Sequence, residues 1–175
     1  SDFIFLRSQG WDQYLQKHLR YGGKVLGICG GFQMLGETID DPEGIEGETR
    51  SAKAFGLLEH TTVLTDSKVL EQVEGRFSFS DTPVCGYEIH AGRTSGPSLA
   101  LPFIYYSNDA GQSNPDGAIS DDNQIAGTYW HGLLDTPDAL QAILKWAGCQ
   151  TQSTLDYASV REAAIERLAD AFEES

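Results

Sequence analysis

The sequence predicts an α/β fold, a doubly wound domain on a mixed, mostly parallel sheet. Two observations carry that prediction. Residues 24–36 run from an apolar stretch through Cys29-Gly30-Gly31 into a helical pattern, and residues 124–132 form a second strand-like stretch that stops at Gly132. Short apolar runs bounded by glycine suit strands buried on both faces, the usual state of a parallel sheet. At 175 residues and 40% hydrophobic content, the chain suits one domain with a substantial core.

In chain order, a helical pattern covers about 3–20 and strand 24–28 follows. Gly30 and Gly31 carry no Cβ and so permit a steep strand-to-helix elbow, after which a helix is expected over 31–37. Residues 37–48 hold Glu37, Asp40, Asp41, Glu43, Glu46 and Glu48 with no Lys or Arg, which reads as a solvated loop. Its spacing lacks the order of a calcium loop, so no metal site is expected. Strands are expected at 57–65, 74–79, 84–90, 102–107, 116–120 and 124–130, with turns at Ser95-Gly96-Pro97 and Asn114-Pro115-Asp116-Gly117. Thr136 and Pro137 mark a helix start, and that helix runs over 137–147 to Gly148. After the polar link Gln150-Thr151-Gln152-Ser153 comes a final helix in which Tyr157, Val160, Ala164, Ile165, Leu168 and Phe172 share a face. That face packs on its own domain or docks a partner.

Cys29 is the expected centre of chemistry. At the apex of the elbow, the N–H groups of the helix start favour a thiolate and can bind a developing oxyanion, with Gly30 the first donor. The bland alternative is a small buried hydrophobe. A nucleophilic thiol needs a base. His131 ends the strand Gln124–Trp130, so its imidazole emerges at a strand terminus, where sites of doubly wound sheets gather. His90, in Gly86-Tyr87-Glu88-Ile89-His90-Ala91-Gly92-Arg93-Thr94, is the second candidate. His18 and His60 read as surface or packing residues. Cys85 and Cys149 read as structural, and three cysteines without a CxxC pair point to a reducing cytoplasm.

Gly27-Ile28-Cys29-Gly30-Gly31-Phe32-Gln33-Met34-Leu35-Gly36 resembles the nucleophile segment of the class I glutamine amidotransferases, which are flavodoxin-like in fold. The closest likeness is to the cobyric acid synthase family (CobQ type). It rests also on Gly86–Thr94, on Gly127-Thr128-Tyr129-Trp130-His131-Gly132, on the tail around Tyr157, Arg161, Ile165, Arg167, Leu168 and Asp170, and on the opening Leu6–Trp11. The resemblance implies a glutaminase in which Cys29 attacks the side-chain amide of glutamine and His131 shuttles protons. The ammonia would pass to a synthetase domain that uses ATP and Mg to amidate four peripheral carboxylates of a corrin, adenosylcobyrinic acid a,c-diamide, in cobalamin biosynthesis.

By the same resemblance Gln33 matches a substrate-holding position, and a helix spacing of four returns its amide to the face of Cys29. The alternative is a solvent-facing residue. Arg93 suits the α-carboxylate of glutamine, because a guanidinium grips a carboxylate bidentately. A surface ion pair is the alternative. Tyr87, Glu88 and His90 are expected as wall residues. Many class I amidotransferases carry a glutamate two residues after the histidine, whereas here Leu133 stands there, which implies a Cys-His dyad. Asp135 could orient His131, but a helix-start role is favoured.

Only one helical stretch precedes Lys24, and residue 1 is Ser. The resemblance therefore implies that residues 1–175 are a C-terminal glutaminase domain lacking its first strands, a second oxyanion loop and an N-terminal synthetase domain. No Gly-x-x-x-x-Gly-Lys-[Ser/Thr] loop occurs, and no cofactor is expected in this chain. A net charge of −14, with 12 basic residues scattered among 26 acidic ones, speaks against nucleic acid and anionic membranes. No apolar run reaches the roughly 20 residues of a membrane span. Still open are the a,c-diamide synthase of the same pathway, the amidotransferase of cell-wall lipid II amidation, a cysteine hydrolase or peptidase of the same fold, and a non-catalytic interaction domain.

Overall fold

The structure, a computed structural model, describes residues 2–45, 51–107, 113–150 and 157–173. The elements are α1 (Asp2–Ser8), α2 (Trp11–Arg20), β1 (Val25–Ile28), α3 (Gly30–Leu35), β2 (Thr38–Asp40), β3 (Ser51–Lys53), β4 (Thr61–Phe77), β5 (Pro83–Ser95), a 3-10 turn (Pro97–Ala100), β6 (Ile104–Ser107), β7 (Ser113–Asp116), β8 (Ala118–Ile119), β9 (Ile125–Thr128), β10 (Trp130–His131), α4 (Pro137–Trp146) and α5 (Tyr157–Glu173).

The architecture is mixed α/β, as expected, but the sheet is not mostly parallel. Three strands form one sheet in the order β1-β9-β8, and a seven-stranded sheet runs β10-β5-β4-β2-β3 with β6 and β7 attached through β4. Only the pairs β1/β9 and β2/β4 are parallel among the described strands. The parallel expectation holds where strands are buried on both faces. All four residues of β9 are buried. Its side chains alternate between two cores, Ile125 joining Phe32, Leu35, Leu58, Ala118 and Tyr129, and Ala126 joining Phe77, Phe103, Trp130, Leu133 and Trp146.

Two glycines seat α3 on this sheet. A Cβ on Gly27 would lie 2.7 Å from the Gly31 backbone, and one on Gly127 would lie 2.3 Å from the Phe32 ring. Neither position has room for a side chain, so β1, β9 and α3 meet almost backbone to backbone.

Several expected elements change. The opening helix is two helices, broken at Gly10, whose φ of 80° ends α1 and starts α2. The strands expected at 57–65 and 74–79 are one 17-residue strand, β4, with a register shift between Val63 and Lys68 against β5. The acidic run is not all loop: Thr38–Asp40 pairs with β3 and β4, and buried Asp41 accepts the Ile45 N–H at 2.8 Å. Glu46 and Glu48 lie outside the described residues.

The expected Asn114–Gly117 turn is instead strand β7 followed by Gly117 at φ 67°, with Pro115 opposite Tyr105. A proline is tolerated there because, among the described strands, β7 pairs with β6 alone. The expected strand 124–130 divides at Tyr129 into β9 and β10, which belong to different sheets. In α5, Val160 and Ile165 are 48% and 56% exposed and Ala164 is exposed as well. The side chains of Tyr157, Leu168 and Phe172, and the link residues 151–153, lie outside the described residues.

Candidate active site

Cys29 stands between β1 and α3 with φ 53° and ψ −114°, a conformation that an L-residue with a side chain rarely adopts. Such a backbone stores about 1–3 kcal/mol of strain, held here by bonds on both sides. The Cys29 N–H donates to the Thr128 carbonyl at 2.8 Å, and the Cys29 carbonyl accepts the Gln33 N–H at 3.2 Å. The thiol points off the elbow and donates to the Ile89 carbonyl on β5 at 3.4 Å. Gly30 opens α3 directly behind it.

His131 reaches the same strand through β10. β10 pairs antiparallel with β5, setting Trp130 opposite Glu88 and His131 opposite Tyr87. Its ring lies parallel to the Tyr87 ring, with centroids 5.3 Å apart and an interplanar angle of 4°. The parallel register of β1 and β9, Ile28 beside Thr128, brings Cys29 next to Tyr129, two residues before His131. The segment Tyr87–Ile89 is thus the common wall of the two candidates. Leu133 is 1% exposed and belongs to the core, so an acid there would face apolar side chains. Asp135 makes no side-chain hydrogen bond among the described residues, and its carboxylate lies over Gly132. Thr136 takes the N-cap conformation of α4 without a side-chain cap bond.

His90 occupies the inner face of β5. Its Nε2 lies 2.6 Å from Glu88 Oε1, its Nδ1 lies 3.0 Å from the Gly92 carbonyl, and its ring stacks on Tyr129 at 3.8 Å. Both nitrogens are therefore engaged, and a carbonyl can only accept, so Nδ1 carries a proton. Gln33 is 8% exposed, which removes the solvent-facing alternative. Its Nε2 donates to the Tyr129 hydroxyl at 3.5 Å, and that hydroxyl also bonds Thr94 Oγ1 at 2.5 Å. Burial raises the Tyr129 phenol, a shift to which the nearby Cys29 also contributes. Arg93 is exposed, opposite Val63, with no ion pair among the described residues.

Of the other histidines, His60 is 1% exposed, bonded to the Phe32 carbonyl and Ser98, and burial lowers its pKa. His18 packs at the surface against the Lys24 carbonyl. Cys85 and Cys149 are free thiols and exposed, which does not suit a packing role.

One residue of this site carries no local signal in the sequence. Asp116, 8% exposed, accepts a hydrogen bond from the Thr128 hydroxyl. The Thr128 hydroxyl in turn accepts the Trp130 N–H at 3.1 Å. Among the described residues no group of three or more His, Cys, Asp or Glu side chains is arranged to hold a metal ion.

A strained cysteine at a strand-to-helix elbow that reaches β5, and a histidine on a strand paired with the same β5, suit thiol acyl transfer. A family model for the CobB/CobQ-like glutamine amidotransferase domain matches residues 1–139. That match covers both candidate residues and most of the chain, and the protein belongs to the CobB/CobQ-like glutamine amidotransferase family.

Proposed function

We propose that this chain is the glutaminase half of a cobyric acid synthase, working through a Cys29–His131 dyad. Membership of a glutamine amidotransferase family supports a glutaminase-type activity with glutamine as substrate. The observation that carries the dyad is the pairing of the positive-φ elbow at Cys29 with a thiol directed at Ile89, two residues from the partner of His131 on β5.

In this reading the Cys29 thiolate adds to the side-chain carbonyl carbon of glutamine, forming a C–S bond. The oxyanion is met by the N–H groups at the start of α3, Gly30 first. Collapse breaks the C–N bond, and the imidazolium of His131 gives its proton to the departing nitrogen, which leaves as ammonia. His131 then takes a proton from water as the hydroxide adds to the thioester, and glutamate leaves with the thiolate restored. The Tyr87 ring lies parallel to the imidazole and limits its rotation. Gln33, His90 and Arg93 are assigned to the glutamine pocket. The ammonia goes to a synthetase domain that carries the corrin, and ATP and Mg belong to that domain, so no step here runs through them.

The test is mass spectrometry of the full-length protein treated with 6-diazo-5-oxo-L-norleucine, a glutamine analogue that alkylates amidotransferase nucleophiles. A single adduct on Cys29, suppressed by free glutamine and absent in Cys29→Ala, is the expected result. Absence of any adduct overturns the glutaminase assignment. The synthetase half is read from the corrin product with ATP and glutamine: amidation of adenosylcobyrinic acid a,c-diamide is expected, and amidation at a and c instead assigns the chain to the diamide synthase.

A further inference from the structure

We infer that Asp116 is a positioning residue for the reaction, anchoring through Thr128 the chain segment that joins the elbow of Cys29 to His131. The inference rests on the glutaminase reading above.

The segment 128–130 is where the chain leaves one sheet for the other, since β9 belongs to the three-stranded sheet and β10 to the larger one. A chain that changes sheets loses its ladder partners for at least one residue, and buried backbone N–H groups must then find side-chain acceptors. For Trp130 that acceptor is the Thr128 hydroxyl, which in turn donates to the Asp116 carboxylate. The donor chain runs one way, from Trp130 to Thr128 to Asp116, and needs an acceptor at its end. Thr128 also receives the Cys29 N–H on its carbonyl at 2.8 Å. One side-chain pair thus touches the support of the nucleophile on one side and the path to the base on the other.

Asp116 is itself held in place. Its carbonyl accepts the Phe103 N–H at 3.1 Å, and a Cβ on the following Gly117 would stand 2.0 Å from the Gly127 carbonyl. Of the charged and titratable groups around it, Glu88 and His90 act from β5 and Tyr106 from β6. Burial pushes its carboxyl up to about 6, so that at neutral pH it is the ionised acceptor the donor chain requires.

The experiment compares Asp116→Ala, Thr128→Val and Thr128→Ser in the full-length protein by steady-state glutamine hydrolysis and by amide hydrogen exchange. A misplacement of about 1 Å can cost on the order of a hundredfold in rate, so kcat should fall by about tenfold or more in the Ala and Val variants. KM should stay within about twofold, because the interaction lost is not one made with bound glutamine. Exchange at the Trp130 amide should accelerate in both, and Thr128→Ser, which keeps the hydroxyl, should restore kcat and protection. If the Ala variant fails to fold, Thr128→Val removes the same donor chain without altering the acid. Unchanged exchange in the Val variant, or faster exchange with wild-type kcat, overturns the inference. Loss of glutamine turnover and of glutamine-protected Cys29 labelling in the wild type overturns the glutaminase reading instead.

Discussion

Cys29 carries a backbone geometry that glycine would adopt freely and cysteine does not. The elbow holds the thiol off the strand at the expense of folding free energy, about 1–3 kcal/mol for such a conformation. Cys29→Gly should therefore be more stable than Cys29→Ala by about 1 kcal/mol, although both lack the thiol and should both lose glutaminase activity. Urea denaturation of the two variants measures the difference, and equal midpoints would show that the positive φ carries no strain. Cys29 and His131 stand out as candidates in the sequence because each sits in a local pattern, an apolar stretch broken by glycine. Asp116 does not. Asn114-Pro115-Asp116-Gly117 has the composition of a turn, and what buries Asp116 is pairing with β6 and the close approach of Gly117 to β9, neither of which any local spacing encodes. Gln33 shows the same limit: its position on the helix was readable, its burial against Tyr129 was not.

At the scale of elements, α3 and β1 form the unit that presents the nucleophile, and Gly27 sets their separation. Gly27→Ala would drive a methyl to 2.7 Å from the Gly31 carbonyl, backbone that cannot swing aside as a side chain can. The expected cost is about 1–3 kcal/mol, with a fall in glutamine turnover because the helix start moves relative to the thiol. Thermal unfolding and steady-state rates read the two effects separately, and wild-type values for both would mean that the helix can lift without consequence. β1, α3 and α4 were legible to within a residue or two because glycine, proline and apolar runs bound them. The long hairpin of β4 and β5 was not. Its residues alternate between exposed and inward-facing, as in β5, which signals strands with one wetted face but says nothing of how short runs join. The reading as mostly parallel extended to the whole sheet a property that belongs to the pairs β1/β9 and β2/β4.

The whole molecule responds to acid through two buried groups of opposite sign. Asp116, raised from 3.8 to about 6, keeps its proton in the fold where the unfolded chain has lost it, so stability falls as pH rises from about 4 to about 6. That difference corresponds to roughly 3 kcal/mol. His60, lowered from 6.5, refuses a proton that the unfolded chain accepts, so stability falls as pH drops below 6.5. Asp116→Asn removes the first effect and leaves the second. Measured by urea unfolding, its stability relative to wild type should move in favour of the variant by roughly 3 kcal/mol between pH 4 and pH 7, whatever the gap at either end. A constant gap would mean that the acid is not held out of water. At neutral pH the fold thus carries an ionised carboxylate at a site that favours its neutral form.

No helix among the described residues is long and apolar enough to cross a membrane. The break at Tyr129 sets the proposed nucleophile and the proposed base on different sheets. Cys29 follows β1 of the three-stranded sheet and His131 lies on β10 of the seven-stranded one, while Leu26, Ile28 and Ala126 pack with Val73, Phe77 and Val84 in one hydrophobic core. The gap between sulfur and imidazole is therefore set by packing between sheets as much as by pairing within them.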